Sequence, residues 1–386
     1  MITRRSFISA LGAAVASQSF DRLLAAQTLA PAPTGRLIRK MPLGRFDGRP
    51  TSPLGQMLGA GLDARLFTDL SDLSGDSPIT PVDQFFVRTR ASEGQKVPDP
   101  WTIGIVGRGQ QPQPLTMNAL AQLARPMGTH LLECSGNSDP ANFGLISAAS
   151  WTGAPIGVVL DRAGLDKGNS LVRITGIDDE SRTWQTSVAG ASWIFTRDAL
   201  ERAGAFLSTG MNGEPLTRDH GFPVRLVVPN WYGCVAIKWV ASIDAISEDE
   251  PATTQMREYA ARTQQDGIPT LAREFEPAVV DLAAMPVRVE QWIDGERVFY
   301  RVIGIRWGGS TPARALAIRF RAAQPWVPVE HAPAPSSTTT WTLWSHTWRP
   351  EFPGRYQIVL SVTDRAIRTR RLDYFYYTRE VEIDRV

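Results

Sequence analysis

Met211-Asn212-Gly213-Glu214-Pro215-Leu216-Thr217-Arg218-Asp219-His220-Gly221-Phe222-Pro223-Val224-Arg225-Leu226-Val227-Val228-Pro229 is the stretch on which the fold turns. It runs on into Trp231-Tyr232-Gly233-Cys234-Val235-Ala236-Ile237-Lys238-Trp239. Physically this is a polar turn holding a histidine, an apolar strand, a second glycine-containing turn and a lysine. A histidine, an arginine and a lysine converging from adjacent segments make a phosphate-sized anion pocket. Taken singly, each is more often a surface charge or a satisfied core histidine, so the pocket needs a second motif behind it.

That second motif lies upstream, in Thr129-His130-Leu131-Leu132-Glu133-Cys134-Ser135-Gly136-Asn137. A short apolar run delivers a cysteine into a turn of small residues, where a thiolate can meet a ligand at close range. Coordination keeps such a sulfur deprotonated, and soft thiolates favour soft or high-valent metals. A buried cysteine is also simply a small apolar residue. The chain has two cysteines, Cys134 and Cys234, and their spacing does not decide between a bridge and a free pair.

Composition narrows the rest. With 386 residues, 43% hydrophobic and 21% charged, the chain is an ordinary globular one with room for two domains. A net charge of +2 gives no reason to expect a nucleic-acid partner. The basic residues are nearly all arginine, since only Lys40, Lys96, Lys167 and Lys238 are lysines. Arginine presents a planar fork suited to oxyanions, although codon usage explains the bias equally well. There is no H-E-x-x-H, C-x-x-C, G-x-S-x-G or G-x-x-x-x-G-K, which removes zinc-protease, thiol-redox, hydrolase-elbow and P-loop readings. Gly107-Arg108-Gly109 follows a strand, but Pro112 stands where a dinucleotide loop needs its third glycine.

Thr3-Arg4-Arg5-Ser6-Phe7-Ile8, followed by a mildly apolar run to Ala16, reads as a twin-arginine signal ending near residue 26. A chance pair of arginines is the plain alternative. The expectation is export to the periplasm in folded form, with no later stretch approaching the roughly 18 apolar residues of a membrane span. Residues 27–75, rich in Pro, Gly and Ala, read as an extended N-terminal arm. Residues 76–276 read as an α+β domain. Its β-type runs include 84–87, 101–106 and 224–228, and its helices are expected over 117–123 and 156–163, the second ended by Gly164. Residues 247–276 form a charged crossing segment. From Pro277 onward the pattern becomes all-β, with strands expected at 287–293, 299–305, 315–320, 341–348, 356–362 and 374–383, and a Pro-rich loop at 325–335. That spacing suggests a sandwich of immunoglobulin type over 277–386.

Four ordered motifs resemble the molybdopterin domain of the sulfite oxidase family. Phe85-Phe86-Val87-Arg88-Thr89-Arg90 is similar to F-F-x-R-N-H. Glu133-Cys134-Ser135-Gly136-Asn137 is similar to E/Q-C-A-G-N. The run from Met211 to Pro229 is similar to M-N-G-x-P-L-x-R-D-H-G-F-P-x-R-x-V-V-P, and the run from Gly233 to Trp239 to G-x-x-x-V-K-W. The resemblance implies one molybdenum–molybdopterin per chain, with Cys134 as the protein's metal ligand rather than half of a disulfide. It implies cofactor binding by Phe86, Arg88, Thr89, Arg90, Asp178, His220, Arg225 and Lys238. Cys134, Arg88 and Tyr259 are implied as catalytic, the last as a phenol that can donate to developing charge on oxygen. An amphipathic tyrosine on a helix over 255–262 is the structural alternative. The C-terminal region resembles the family's immunoglobulin-like dimerisation domain, which implies a homodimer.

The substrate shell departs from the family. Ser138-Asp139 stands where a family arginine is expected, and the C-terminal arginine motif is not recognisable, although Arg368, Arg370 and Arg371 offer substitutes. No motif for haem, flavin or NAD is evident. The expected activity is oxygen-atom transfer at a small sulfur or other anionic substrate, with electrons passed to a separate carrier such as a cytochrome. A reductase of sulfoxide or methionine sulfoxide type and a non-catalytic exported binding or assembly protein are the alternatives.

Overall fold

The computed structural model describes residues 31–44, 65–74, 79–88, 97–107, 113–137, 143–165, 170–177, 191–311, 315–333, 335, 337–364, 366–367, 369 and 377–386. These form two compact units. A central unit holds 65–69 and 79–280, and a C-terminal unit holds 31–44, 70–74 and 281–386. The twin-arginine segment lies outside the described residues.

The central unit carries two five-stranded sheets among its described residues. In one, Thr102–Val106 pairs in parallel with Val240–Ile246 and antiparallel with Gln113–Thr116, while Leu171–Gly176 and Ser192–Thr196 complete the other side. In the other, Phe206–Met211 lies between Ile146–Pro155 on one side and Glu214–Pro215 and Arg225–Val227 on the other, and Arg125–Glu133 pairs with Ile146–Pro155. This second sheet positions both motifs.

Short helices punctuate the sheets, and their ends follow from local chemistry. Thr116 and Thr196 cap Met117–Leu123 and Arg197–Arg202, each hydroxyl accepting from the backbone N–H three residues on, at 3.2 and 3.1 Å. Such a cap contributes about 1 kcal/mol. Ile156–Arg162 and Arg197–Arg202 both stop at an Ala-Gly pair whose glycine, Gly164 or Gly204, takes φ +67. Only glycine enters that left-handed turn without strain.

One strand expectation is corrected. Residues 84–87 read as β, but Val82–Gln84 is a 3₁₀ turn and the strand is only Val87–Arg88. A strand would send Phe85 and Phe86 to opposite faces. Here both are buried in one cluster with Leu132, Trp151, Phe206 and Met211, which the turn permits. Burial of each such side chain contributes roughly 1.5–3 kcal/mol.

The C-terminal unit holds two four-stranded antiparallel sheets among its described residues. Arg36–Pro42, Ala283–Asp294, Arg297–Trp307 and Thr342–Trp348 form the first, in that order. Val327–Pro328, Leu316–Arg319, Gly354–Val362 and Arg379–Ile383 form the second. Part of the expected arm is thus an edge strand, with Arg36 paired to Ile293 and Pro42 to Arg288. Within the expected Pro-rich loop, Val327–Pro328 pairs with Leu316–Arg319, an edge position where a proline costs no ladder bond. Packing is tight. A Cβ on Gly304 would meet the Met285 carbonyl oxygen at 2.3 Å and the Trp344 ring at 2.2 Å.

Candidate active site

Arg125–Glu133 ends where its pairing partner begins, at Glu133 opposite Ile146, so the chain leaves the sheet at Cys134. The exit is fixed by the Cys134 N–H donating to the Leu145 carbonyl at 2.9 Å and the Asn137 N–H to the Cys134 carbonyl at 3.0 Å. Asn137 closes the turn by accepting from the Leu145 N–H at 3.2 Å. The Gly136 N–H points at the Cys134 sulfur, 3.4 Å away. Cys134 is half-buried and free, and no disulfide joins it to Cys234, which is also free.

Facing this turn is the cationic stretch. His220 is buried, its Nε2 lying 3.2 Å from the Phe85 carbonyl and its Nδ1 2.7 Å from the Thr217 hydroxyl. A carbonyl only accepts, so Nε2 carries the proton and Nδ1 accepts from Thr217. Burial, helped by the Arg225 charge, pushes the imidazole down to about 4. His220 is therefore a neutral spacer at ordinary pH.

Arg225 starts the strand Arg225–Val227, bridges to Lys238 and is 6% exposed. Its Nη1 and Nη2 donate to the His220 and Ala236 carbonyls at 3.2 and 3.4 Å, while its buried Nε has no hydrogen-bond partner among the described residues. Burial pushes this guanidinium down to about 10. Lys238 Nζ donates to the Asp219 carbonyl at 2.8 Å. Gly221, at φ +101, lets the chain pass against these stems; a Cβ there would sit 3.0 Å from Lys238 Cβ and 3.2 Å from Arg225 Cβ. Arg88, on the strand Val87–Arg88, is half-buried.

A third wall comes from downstream. Thr253 caps the helix Thr254–Glu258, and Tyr259 ends it at φ −104 and ψ 18, short of the expected 255–262. Gln255, buried one turn before Tyr259, donates from Nε2 to the Cys234 carbonyl at 2.6 Å and accepts from the Ser192 N–H at 2.9 Å. It ties three segments together. The turn Gly233–Val235 packs against the cysteine loop so closely that a Cβ on Gly233 would meet the Glu133 carbonyl at 3.0 Å. Burial pushes the Cys234 thiol up to about 12, so it stays protonated beside the Ser135 hydroxyl.

Cys134, Phe86, Arg88, His220, Arg225, Lys238 and Tyr259 line one open cavity. Residues 91–254 match the model of the oxidoreductase molybdopterin-binding domain. The mitochondrial sulfite oxidase of Macaca fascicularis is 31% identical over 257 residues, covering 62% of this chain and 46% of that protein. The sulfite oxidase of Gallus gallus is 26% identical over 327 residues, covering 76% and 68%. The sulfane dehydrogenase SoxCD from Paracoccus pantotrophus has the same fold, with a TM-score of 0.61 and 18% identity over 88% of this chain and 85% of that one. The domain match and these likenesses support the sulfite oxidase family for this chain. The chain spans about half the length of several of the mitochondrial relatives.

Arg225 Nε, in the lining of this cavity, is buried with no hydrogen-bond partner among the described residues. Leaving it so is costly, and an anionic group of a molybdopterin-type cofactor would satisfy it. Thr89, Arg90 and Asp178 lie outside the described residues, as does Asp139. Gln255 was not expected from the sequence, although its position four residues before Tyr259 puts it on the same helical face. Among the described residues, no helix is long and apolar enough to cross a membrane.

Proposed function

We propose that the chain is a molybdopterin-dependent oxidoreductase of sulfite oxidase type, transferring an oxygen atom at a small sulfur-containing or other anionic substrate. The convergence of the Cys134 thiol with Arg88, Arg225 and Lys238 on one cavity carries this reading. Among the described residues no group of three His, Cys, Asp or Glu side chains could hold a metal, so Cys134 would be the protein's contribution to a metal brought by the cofactor. When bound, the molybdenum cofactor supplies two-electron redox chemistry and oxygen-atom transfer. Lys238 and Arg225 hold its anionic end, with neutral His220 setting the spacing between them. Arg88 receives the substrate's charge, and the Tyr259 phenol donates a hydrogen bond to oxygen as charge develops there. Gln255 holds the Tyr259 turn against the Cys234 loop. Thr89, Arg90 and Asp178 complete the cofactor shell.

The same proposal covers the rest of the chain. The central unit is an α+β catalytic domain. The two antiparallel sheets of the C-terminal unit, between which the chain crosses after Arg297–Trp307, Val327–Pro328 and Thr342–Trp348, support an immunoglobulin-type sandwich that pairs two copies in a homodimer. The twin-arginine segment supports export to the periplasm, where a separate carrier such as a cytochrome takes the electrons. Asp139, in place of a family arginine, disfavours a dianion in a poorly screened pocket. A neutral or singly charged substrate is then preferred over sulfite.

Purified chain assayed for molybdenum and pterin, then for turnover with a dye acceptor, tests the reading. About one molybdenum per chain is expected, with sulfite a poor substrate and Asp139→Arg lowering its KM at unchanged metal content. Metal-free protein from a host that makes the cofactor would overturn the enzyme reading. Efficient sulfite oxidation by the unmodified chain would overturn the role given to Asp139.

A further inference from the structure

Arg306 lies in the C-terminal unit, on the strand Arg297–Trp307, where its backbone is paired with Ala284 on one side and Thr342 on the other. It is 2% exposed. Nη2 donates to the Pro333 carbonyl at 2.6 Å, whereas Nε and Nη1 have no hydrogen-bond partner among the described residues. Thr340, 4% exposed, has an equally unpartnered hydroxyl. Both side chains line one small cavity, with room for about one water-sized occupant, walled also by Leu282, Trp307, Gly308, Pro335, Ser337 and Thr338.

Two other buried arginines of the same unit are closed off differently. Arg288 pairs with Glu290 at 2.9 Å and donates to the Ser71 carbonyl at 2.8 Å, and Arg301 donates to the Ser345 hydroxyl at 3.2 Å with the Glu290 charge nearby. No carboxylate acts on Arg306; burial alone pushes it down to about 10, and it stays charged at neutral pH. An uncompensated charge held this deep is strongly unfavourable unless a counter-ion accompanies it.

We propose that Arg306 and Thr340 form a binding site for a small inorganic monoanion of halide size. The two residues that line this cavity hold three buried donors without partners (Nε, Nη1 and the Thr340 hydroxyl), and the one charged side chain in its lining calls for one negative charge. The narrow, partly apolar walls favour a compact, weakly hydrated ion over a phosphate or a carboxylate ligand. The site serves the folding of this unit and is independent of the cofactor cavity.

The full chain is melted while sodium bromide or chloride replaces sodium fluoride at constant ionic strength. A saturable rise in Tm of several degrees with bromide or chloride is expected. Arg306→Met should lose that dependence and, without halide, melt no lower than the parent. Thr340→Val should weaken the halide response at least several-fold, which decides the question if the arginine variant fails to fold. In bromide-soaked crystals, an anomalous peak within hydrogen-bond distance of Arg306 is expected. A Tm indifferent to the halide, a response unchanged in the variants that fold, or a water at the position instead of bromide would each overturn the proposal.

Discussion

Arg225 and Arg288 are buried to nearly the same degree, at 6% and 5% exposure, and both sit on strands. Around Arg288 the C-terminal unit supplies a carboxylate, Glu290, together with the Ser71 and Leu73 carbonyls. Around Arg225 the central unit supplies two carbonyls at 3.2 and 3.4 Å, an aromatic face on Trp151 and nothing for Nε. The surroundings of Arg288 are closed on themselves, and those of Arg225 keep a donor that no described residue satisfies. A buried arginine matched by its own chain is an element of folding. One that keeps an orphaned donor toward a cavity is an element of binding. Arg197, tied to Asp161 and Glu201, belongs to the first kind.

The sharpest way to break this comparison is to truncate both arginines. Arg288→Met leaves Glu290 buried and uncompensated, so stability should fall by about 3–5 kcal/mol. Arg225→Met removes a buried charge with no carboxylate to strand. The cofactor-free chain should therefore unfold within about 1 kcal/mol of the parent, while cofactor content falls roughly tenfold or more. Urea denaturation and pterin analysis read the two effects separately. Equal destabilisation by both changes would erase the distinction.

A smaller effect is read by pH. The folded His220 titrates near 4, below the ordinary value of 6.5 that the unfolded chain keeps. Between those values the unfolded chain binds a proton that the folded chain refuses. The associated stability is fully present above pH 6.5 and is lost as pH falls toward 4, by roughly 3 kcal/mol in all. Denaturation of the cofactor-free chain across that window should show the slope, and His220→Asn should reduce it, leaving the part due to His130 and His346, which burial also lowers. A slope that the substitution leaves unchanged would place the titrating group elsewhere.

Much of this was legible in the sequence, for reasons that differ by residue. His220, Arg225 and Lys238 stand on a strand and two turns that are near neighbours along the chain, so their convergence follows from local geometry. Gly164 and the 117–123 helix were legible because capping and φ preferences are local. Gln255 was not, because its partner is a backbone carbonyl at Cys234, and nothing in a glutamine side chain announces that contact. The pairing of Arg36–Pro42 with Ala283–Asp294 joins residues some 250 positions apart, which no pattern in either segment specifies. Phe85 and Phe86 misled in the other direction, since two adjacent aromatics read as strand while their shared burial demands a turn.

The smallest contrast is between the two cysteines. Cys234, buried and pushed up to about 12, should react with iodoacetamide at pH 8 at least roughly tenfold more slowly than half-buried Cys134 in the cofactor-free chain. Peptide mapping after brief labelling measures it. Equal labelling would mean that the Gly233–Val235 turn opens readily.

X-ray absorption at the molybdenum edge, on the purified protein beside Cys134→Ser and Cys234→Ser, bears most directly on the assignment of Cys134. Loss of one sulfur neighbour from the metal in Cys134→Ser, with the spectrum unchanged in Cys234→Ser, is the expected result. An unchanged spectrum in Cys134→Ser, or a Cys134–Cys234 disulfide in active enzyme, would contradict it.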